Sequence, residues 1–176
     1  MVTADAVTLL RDLGAEDIAH SGGNLFDHLV RVHDRLAEWG ADRTLRLAGL
    51  CHAFYGTDGF AVALYGLERR AELAALIGAE AEELVYFYAS CDRRASYPGL
   101  PDEQGEFVDR FSGVRYRPEL RLRRAFAELT VANELDFVAV NPLFDEIEAE
   151  GYYALFAPWL PLLSPAACGE VERAYG

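Results

Sequence analysis

The sequence predicts an all-α protein, a single compact helical bundle carrying one long irregular loop. Three observations lead there. Apolar residues recur at helical spacing along most of the chain, and strand-like alternation is nearly absent. Asparagine and aspartate stand where helix N-caps are needed, with glycine where helices should stop. The 176 residues, 52% hydrophobic and 26% charged, suit one sizeable core, whereas two independent domains would each be marginal. One domain over 1–176 is therefore expected, with no repeat or linker.

The elements follow in order. A short helix is expected over about 4–13, ending at Gly14, and AEDIAHSGGN then reads as a turn. Asn24 caps a second helix that runs to Gly40, with Leu25, Leu29, Val32, Leu36 and Trp39 as its apolar stripe. His28 shares that inward face, three residues after Leu25, while His33 points to solvent. Asp42 caps a third helix, RTLRLAGLCHAFYG, whose second half is apolar all round and so buries His52.

Helices over about 61–77 and 80–91 come next, the first interrupted near Gly66 and the second turning Leu84, Phe87, Tyr88 and Cys91 inward. Residues 92–118, rich in glycine and proline, are the irregular connection, with a small hairpin at RFSGVRY and the expected role of a lid. A strong helix over about 119–138 faces inward with Leu122, Phe126, Leu129, Asn133 and Phe137. Two shorter helices, 147–156 and 166–175, close the bundle.

Composition excludes several functions. The formal charge is −13 and every basic residue is arginine, so nucleic acid and anionic membranes are disfavoured partners. Without lysine, Schiff-base chemistry on a side-chain amine is impossible. Cys51, Cys91 and Cys168 are sparse and lack a CxxC pair, which points to free thiols in a reducing, cytoplasmic setting. The N-terminal residues lack the basic region and long apolar run of a signal peptide. The uncharged run from Gly151 to Gly169 is interrupted by Pro158, Pro161 and Pro165. It reads as a buried closing segment or a contact within a homodimer rather than a membrane span. Nucleotide-binding glycine fingerprints, serine elbows and His-Glu-x-x-His motifs are all absent.

What remains is a constellation of three polar residues on inward faces of three helices, His28, His52 and Asn133. Buried polar groups need partners, and converging ones find them in a metal, a substrate or each other. His20 lies at the mouth of the His28 helix, Asp58 just beyond the His52 helix, and Tyr55 on the face of His52. Glu134 and Asp136 flank the inward position of their helix. Arg93 and Arg94 follow a buried helix, where a surface role or an anion clamp is open to either. Phe54, Tyr55, Phe60, Phe87 and Tyr88 read as core, with one or two on the pocket wall.

With His28 in FDHLVRV, His52 in AGLCHAFYG 24 residues on, and Asn133 in VANELD a further 81 on, the chain resembles the HD-domain superfamily of metal enzymes over roughly 24–137. It is most similar to an HD-related branch with a His-x-x-Tyr-Gly-Thr motif. The resemblance implies an HD-like bundle with one divalent metal, Fe, Mn or Zn. His28, His52, Asp58 and Asn133 are its candidate ligands; His20, His28, His52, Tyr55 and Asp58 are the candidate catalytic groups. Ala53 stands where that family carries the aspartate of its His-Asp pair, and Asn133 where it carries a late aspartate, so a dinuclear site is not expected.

Three functions are compatible with these residues. One is a metal-dependent hydrolase or iron oxygenase acting on a small molecule. A second keeps the pocket without metal, the histidines serving as acid and base in an isomerase, cyclase or lyase. The third is a ligand-binding module without catalysis.

Overall fold

The computed structural model describes residues 2–176, except the side chains of Val2 and Glu146. It is mostly helical. The helices are α1 (Val2–Asp12), α2 (Leu25–Glu38), α3 (Arg43–Cys51), α4 (Arg70–Ile77), α5 (Ala79–Ser90), α6 (Arg93–Ser96), α7 (Leu120–Val140), α8 (Glu146–Phe156) and α9 (Pro165–Tyr175). Two antiparallel hairpins, each of two-residue strands, complete the fold. They are β1 (Ala19–His20) with β2 (Gly23–Asn24), and β3 (Phe107–Val108) with β4 (Arg115–Tyr116).

Helices α2, α3, α5 and α7 pack together at the centre. The stripe Leu25, Leu29, Val32, Leu36 and Trp39 is buried as its spacing requires, and Leu84, Phe87, Tyr88 and Cys91 are buried on α5. Helices α1 and α4 close one flank; α8 and α9 close the other, with Phe156, Trp159 and Leu162 inside. The uncharged run closes this flank with Phe156, Trp159, Leu162 and Ala167 buried, while Tyr153, Pro158, Pro161 and Pro165 stay exposed. Among the described residues no helix is long and apolar enough to cross a membrane. All three cysteines are free thiols.

The caps act as the sequence implies. Asn24 accepts from Asp27 N–H at 2.8 Å, and Asp42 from Leu45 N–H at 2.8 Å. Three expectations need correction. The turn before α2 is a hairpin that brings His20 opposite Gly23, with Gly22 at its tip (φ +75°). A Cβ on Gly22 would lie 2.7 Å from Val140 Cβ, so only glycine fits between the hairpin and the end of α7. Helix α3 stops at Cys51 and His52 is its C-cap, because Gly56 and the Thr57–Phe60 bridge turn the chain away. Residues 61–66 are not helical; helix resumes in the short 3-10 turn Leu67–Arg69 and then α4.

The segment 92–118, the expected lid, is packed against the bundle in this structure. It is tied to α5 by Arg110 N–H to Ser90 O (2.7 Å), Arg110 Nε–H to Ala89 O (2.7 Å) and the Tyr86 hydroxyl to Asp109 Oδ2 (2.8 Å). Leu100 and Phe107 are buried, and the expected hairpin starts earlier, with RFSG as its turn.

Candidate functional site

Four elements deliver polar side chains to one cavity of about 320 Å³. Hairpin β1–β2 brings His20, α2 brings His28, the end of α3 brings His52, and α7 brings Asn133. The His20 and His28 rings stack with centroids 4.2 Å apart and planes at 23°. His52 meets His28 edge-on at 5.3 Å and rests against Tyr88 at 5.3 Å. Phe60 closes on His20 at 5.0 Å, so it is the member of the aromatic group that lines the cavity.

His28 is tied down at both ring nitrogens. Its Nδ1 lies 2.7 Å from Asp136 Oδ2 and its Nε2 lies 3.1 Å from Asn133 Oδ1. The amide of Asn133 is oriented by its other end, where Nδ2 donates to Glu134 Oε1 at 3.2 Å; reversing it would set two oxygens against each other. Both nitrogens of His28 therefore face acceptors, which is the pattern of an imidazolium.

Asp136 is buried and bridged by Arg31 through Nε (2.7 Å) and Nη2 (3.0 Å). Burial pushes its carboxyl up, yet the hydrogen bonds from His28 and Arg31 outweigh burial and hold it at about 2, below the ordinary 3.8. Arg31 also donates to Ser21 O at 3.4 Å, tying the hairpin to the same network.

His52 has the opposite character. Its Nδ1–H donates to Gly49 O at 2.7 Å, which leaves Nε2 as an acceptor without a protein partner among the described residues. Burial, reinforced by the nearby His28, pushes its pKa down to about 3, so the ring is neutral. Burial and His28 lower His20 as well, and its buried Nδ1 has no partner among the described residues.

Two of the expected site residues lie elsewhere. Tyr55 is buried but donates to Glu82 at 2.9 Å, away from the cavity. Asp58 is exposed and accepts from Arg93 N–H at 2.9 Å, a capping role at the start of α6. Three residues read as flanking or surface belong to the site instead. Asp136 lies one turn after Asn133 on the same face, and that i,i+3 spacing was the available signal. Glu134 and Arg93 line the cavity, 3.4 Å apart, and Tyr152 donates to Glu134 at 3.2 Å. Arg94 is exposed.

Of the expected metal ligands, His28, His52 and Asn133 line one cavity, while Asp58 lies outside it. Nitrogen lone pairs lie in the ring plane, so the near-parallel stack of His20 on His28 cannot aim both rings at one ion about 2 Å from each. Both nitrogens of His28 are already engaged, Asp58 is outside, and no cluster of three or more ligating His, Cys, Asp or Glu occurs among the described residues. A metal held by His28, His52, Asn133 and Asp58 together does not fit this arrangement.

A family model described as "Domain of unknown function (DUF6817)" matches residues 9–93, just under half of the chain. The chain is similar to that family across His20, His28, His52 and Arg93, while Asn133 and Asp136 lie outside the match. No curated protein and no solved structure matches.

Proposed function

We propose that this is a small-molecule enzyme of the isomerase, cyclase or lyase type. It moves protons with histidines on an HD-like helical scaffold that carries Ala53 where that family has an acidic residue. One observation carries the reading: His28, with both nitrogens facing acceptors, stands beside a neutral His52 whose Nε2 is open. Both rings border one cavity, His28 with its Nε2 on the Asn133 amide oxygen and His52 with its Nε2 open.

The roles follow from the bonds. Asp136 serves as the counter-ion of the imidazolium, and Arg31 fixes Asp136. Asn133 Oδ1 holds the Nε2–H of His28 until a substrate oxygen takes its place. His28 then protonates or polarises that oxygen while His52 Nε2 accepts a proton from the adjacent carbon. The negative charge that develops on the substrate beside His52 raises the basicity of that ring above its low resting value as the proton arrives. His20 covers one face of His28 and keeps water from it. The three free thiols are consistent with a cytoplasmic setting.

Proton transfer leaves an isotopic record. Incubated in D2O with an extract of small metabolites, the protein should add deuterium to one compound, with or without a chelator. His52→Ala and His28→Gln should each slow incorporation about 100-fold. Incorporation that stops on chelation and returns with Fe, Mn or Zn would establish the metal-dependent reading instead.

A further inference from the structure

We propose that Arg93 is the substrate-recognition residue of this cavity and that it binds a carboxylate, which makes the substrate a compact organic monoanion. The inference rests on the acid–base reading above and supplies its substrate class.

Arg93 borders the same cavity as the three imidazoles, with its side chain 27% exposed. A guanidinium has five N–H donors, yet among the described residues its one hydrogen bond is the 3.4 Å approach to Glu134 Oε1, at the long limit for such a bond. The group is held in place while most of its donors stay open. Its backbone is fixed by Asp58, which accepts from Arg93 N–H, and by Asp92, whose side chain accepts from Ala95 N–H at 3.0 Å. Gly59 makes room beside it: a Cβ there would come within 3.0 Å of Arg93 Nη1.

Charge and shape set the ligand. Arg31 is engaged twice by Asp136, at 2.7 and 3.0 Å, whereas Arg93 meets Glu134 only at 3.4 Å. The open donors of Arg93 suit one anionic group. A single planar guanidinium fork matches a carboxylate in two-point contact. Phe60, Phe137 and Tyr152 add flat apolar surface, and the volume of about 320 Å³ sits at the small end of ligand sites. A flat organic body with one carboxylate fits best.

Benzoate is a suitable probe, with benzamide as its neutral counterpart and inorganic phosphate as a different oxyanion. In calorimetric titrations of the full chain at pH 7, benzoate should bind one-to-one and at least about tenfold more tightly than benzamide or phosphate. Arg93→Met should lose about tenfold in benzoate affinity, Arg93→Lys less, and Arg94→Met nothing. Equal binding of benzoate and benzamide, no benzoate binding, tighter phosphate binding, or an unchanged Arg93→Met would overturn the proposal. If Arg93→Met does not fold, the benzoate–benzamide comparison on the natural chain still decides. Selective benzoate binding beside a His28 ring that 15N NMR shows to be neutral would keep this inference and refute the acid–base reading. An imidazolium at His28 without benzoate preference would do the reverse.

Discussion

Two buried polar clusters in this protein are built from the same parts. In one, Arg31 bridges Asp136 through Nε and Nη2 at 2.7 and 3.0 Å, and His28 donates to the carboxylate at 2.7 Å. In the other, Arg70 bridges Glu82 through Nε and Nη2 at 2.6 and 2.9 Å, and Tyr55 donates at 2.9 Å. Both carboxylates are buried and both arginines reach solvent. The difference is the ring. A phenol has one proton, and Tyr55 spends it on Glu82; burial and that carboxylate push its pKa far above the ordinary range, so it stays there. An imidazole has two nitrogens, and the second one of His28 reaches the cavity wall at Asn133. The ion pair that orients an imidazole reaches the cavity, and the one that orients a phenol does not.

The comparison is tested hardest by removing the carboxylates. Asp136→Ala and Glu82→Ala should each cost about 3 kcal/mol in equilibrium unfolding, the low end for breaking a buried pair because each arginine can relax into water. Deuterium incorporation then separates them: it should vanish in Asp136→Ala and persist in Glu82→Ala at a temperature where both are folded. Incorporation lost equally in both would mean that the clusters differ in nothing that matters.

Acid should expose the same difference. His52 has its folded-state pKa lowered from 6.5 to about 3, so the unfolded chain binds the proton first and stability falls as pH drops from about 6.5 towards 3. Asp136, lowered from 3.8 to about 2, adds a second loss as pH falls through that lower window. Denaturation midpoints between pH 7 and pH 3 should therefore decline in the natural chain and flatten over the upper window in His52→Gln. A slope unchanged by His52→Gln would show that another group titrates there.

The smallest effect is expected at Tyr55→Phe. It removes one hydrogen bond to Glu82 and should cost about 1 kcal/mol, leaving deuterium incorporation unaltered. A loss of incorporation would return Tyr55 to the site.

These clusters also show how far the sequence could be read. The α2 stripe was legible because one face of that helix is buried and the other wet, so His28 could be placed from spacing. Helix α7 is buried nearly all round between Phe126 and Asp136. Periodicity there cannot single out one inward face, and Asp136 looked like a flank of Asn133. Tyr55 and Asp58 lie apart from the site for a related reason. Chain neighbours of His52 leave its surroundings once α3 ends at Cys51, and the turn to Gly56 sends them to Glu82 and Arg93. Arg93 joins the cavity through the packing of α6, a contact with no local signature.

Under the proposed acid–base reading, Asp136 and Asn133 hold His28 as an imidazolium beside a neutral His52, and 15N NMR of the labelled imidazoles at pH 7 reads both protonation states. Two protonated nitrogens are expected at His28, with one protonated nitrogen and one lone pair at His52. Asp136→Asn should convert His28 to a neutral ring. A lone pair at His28 Nε2 in the natural protein, or a His28 spectrum indifferent to Asp136→Asn, would contradict the account.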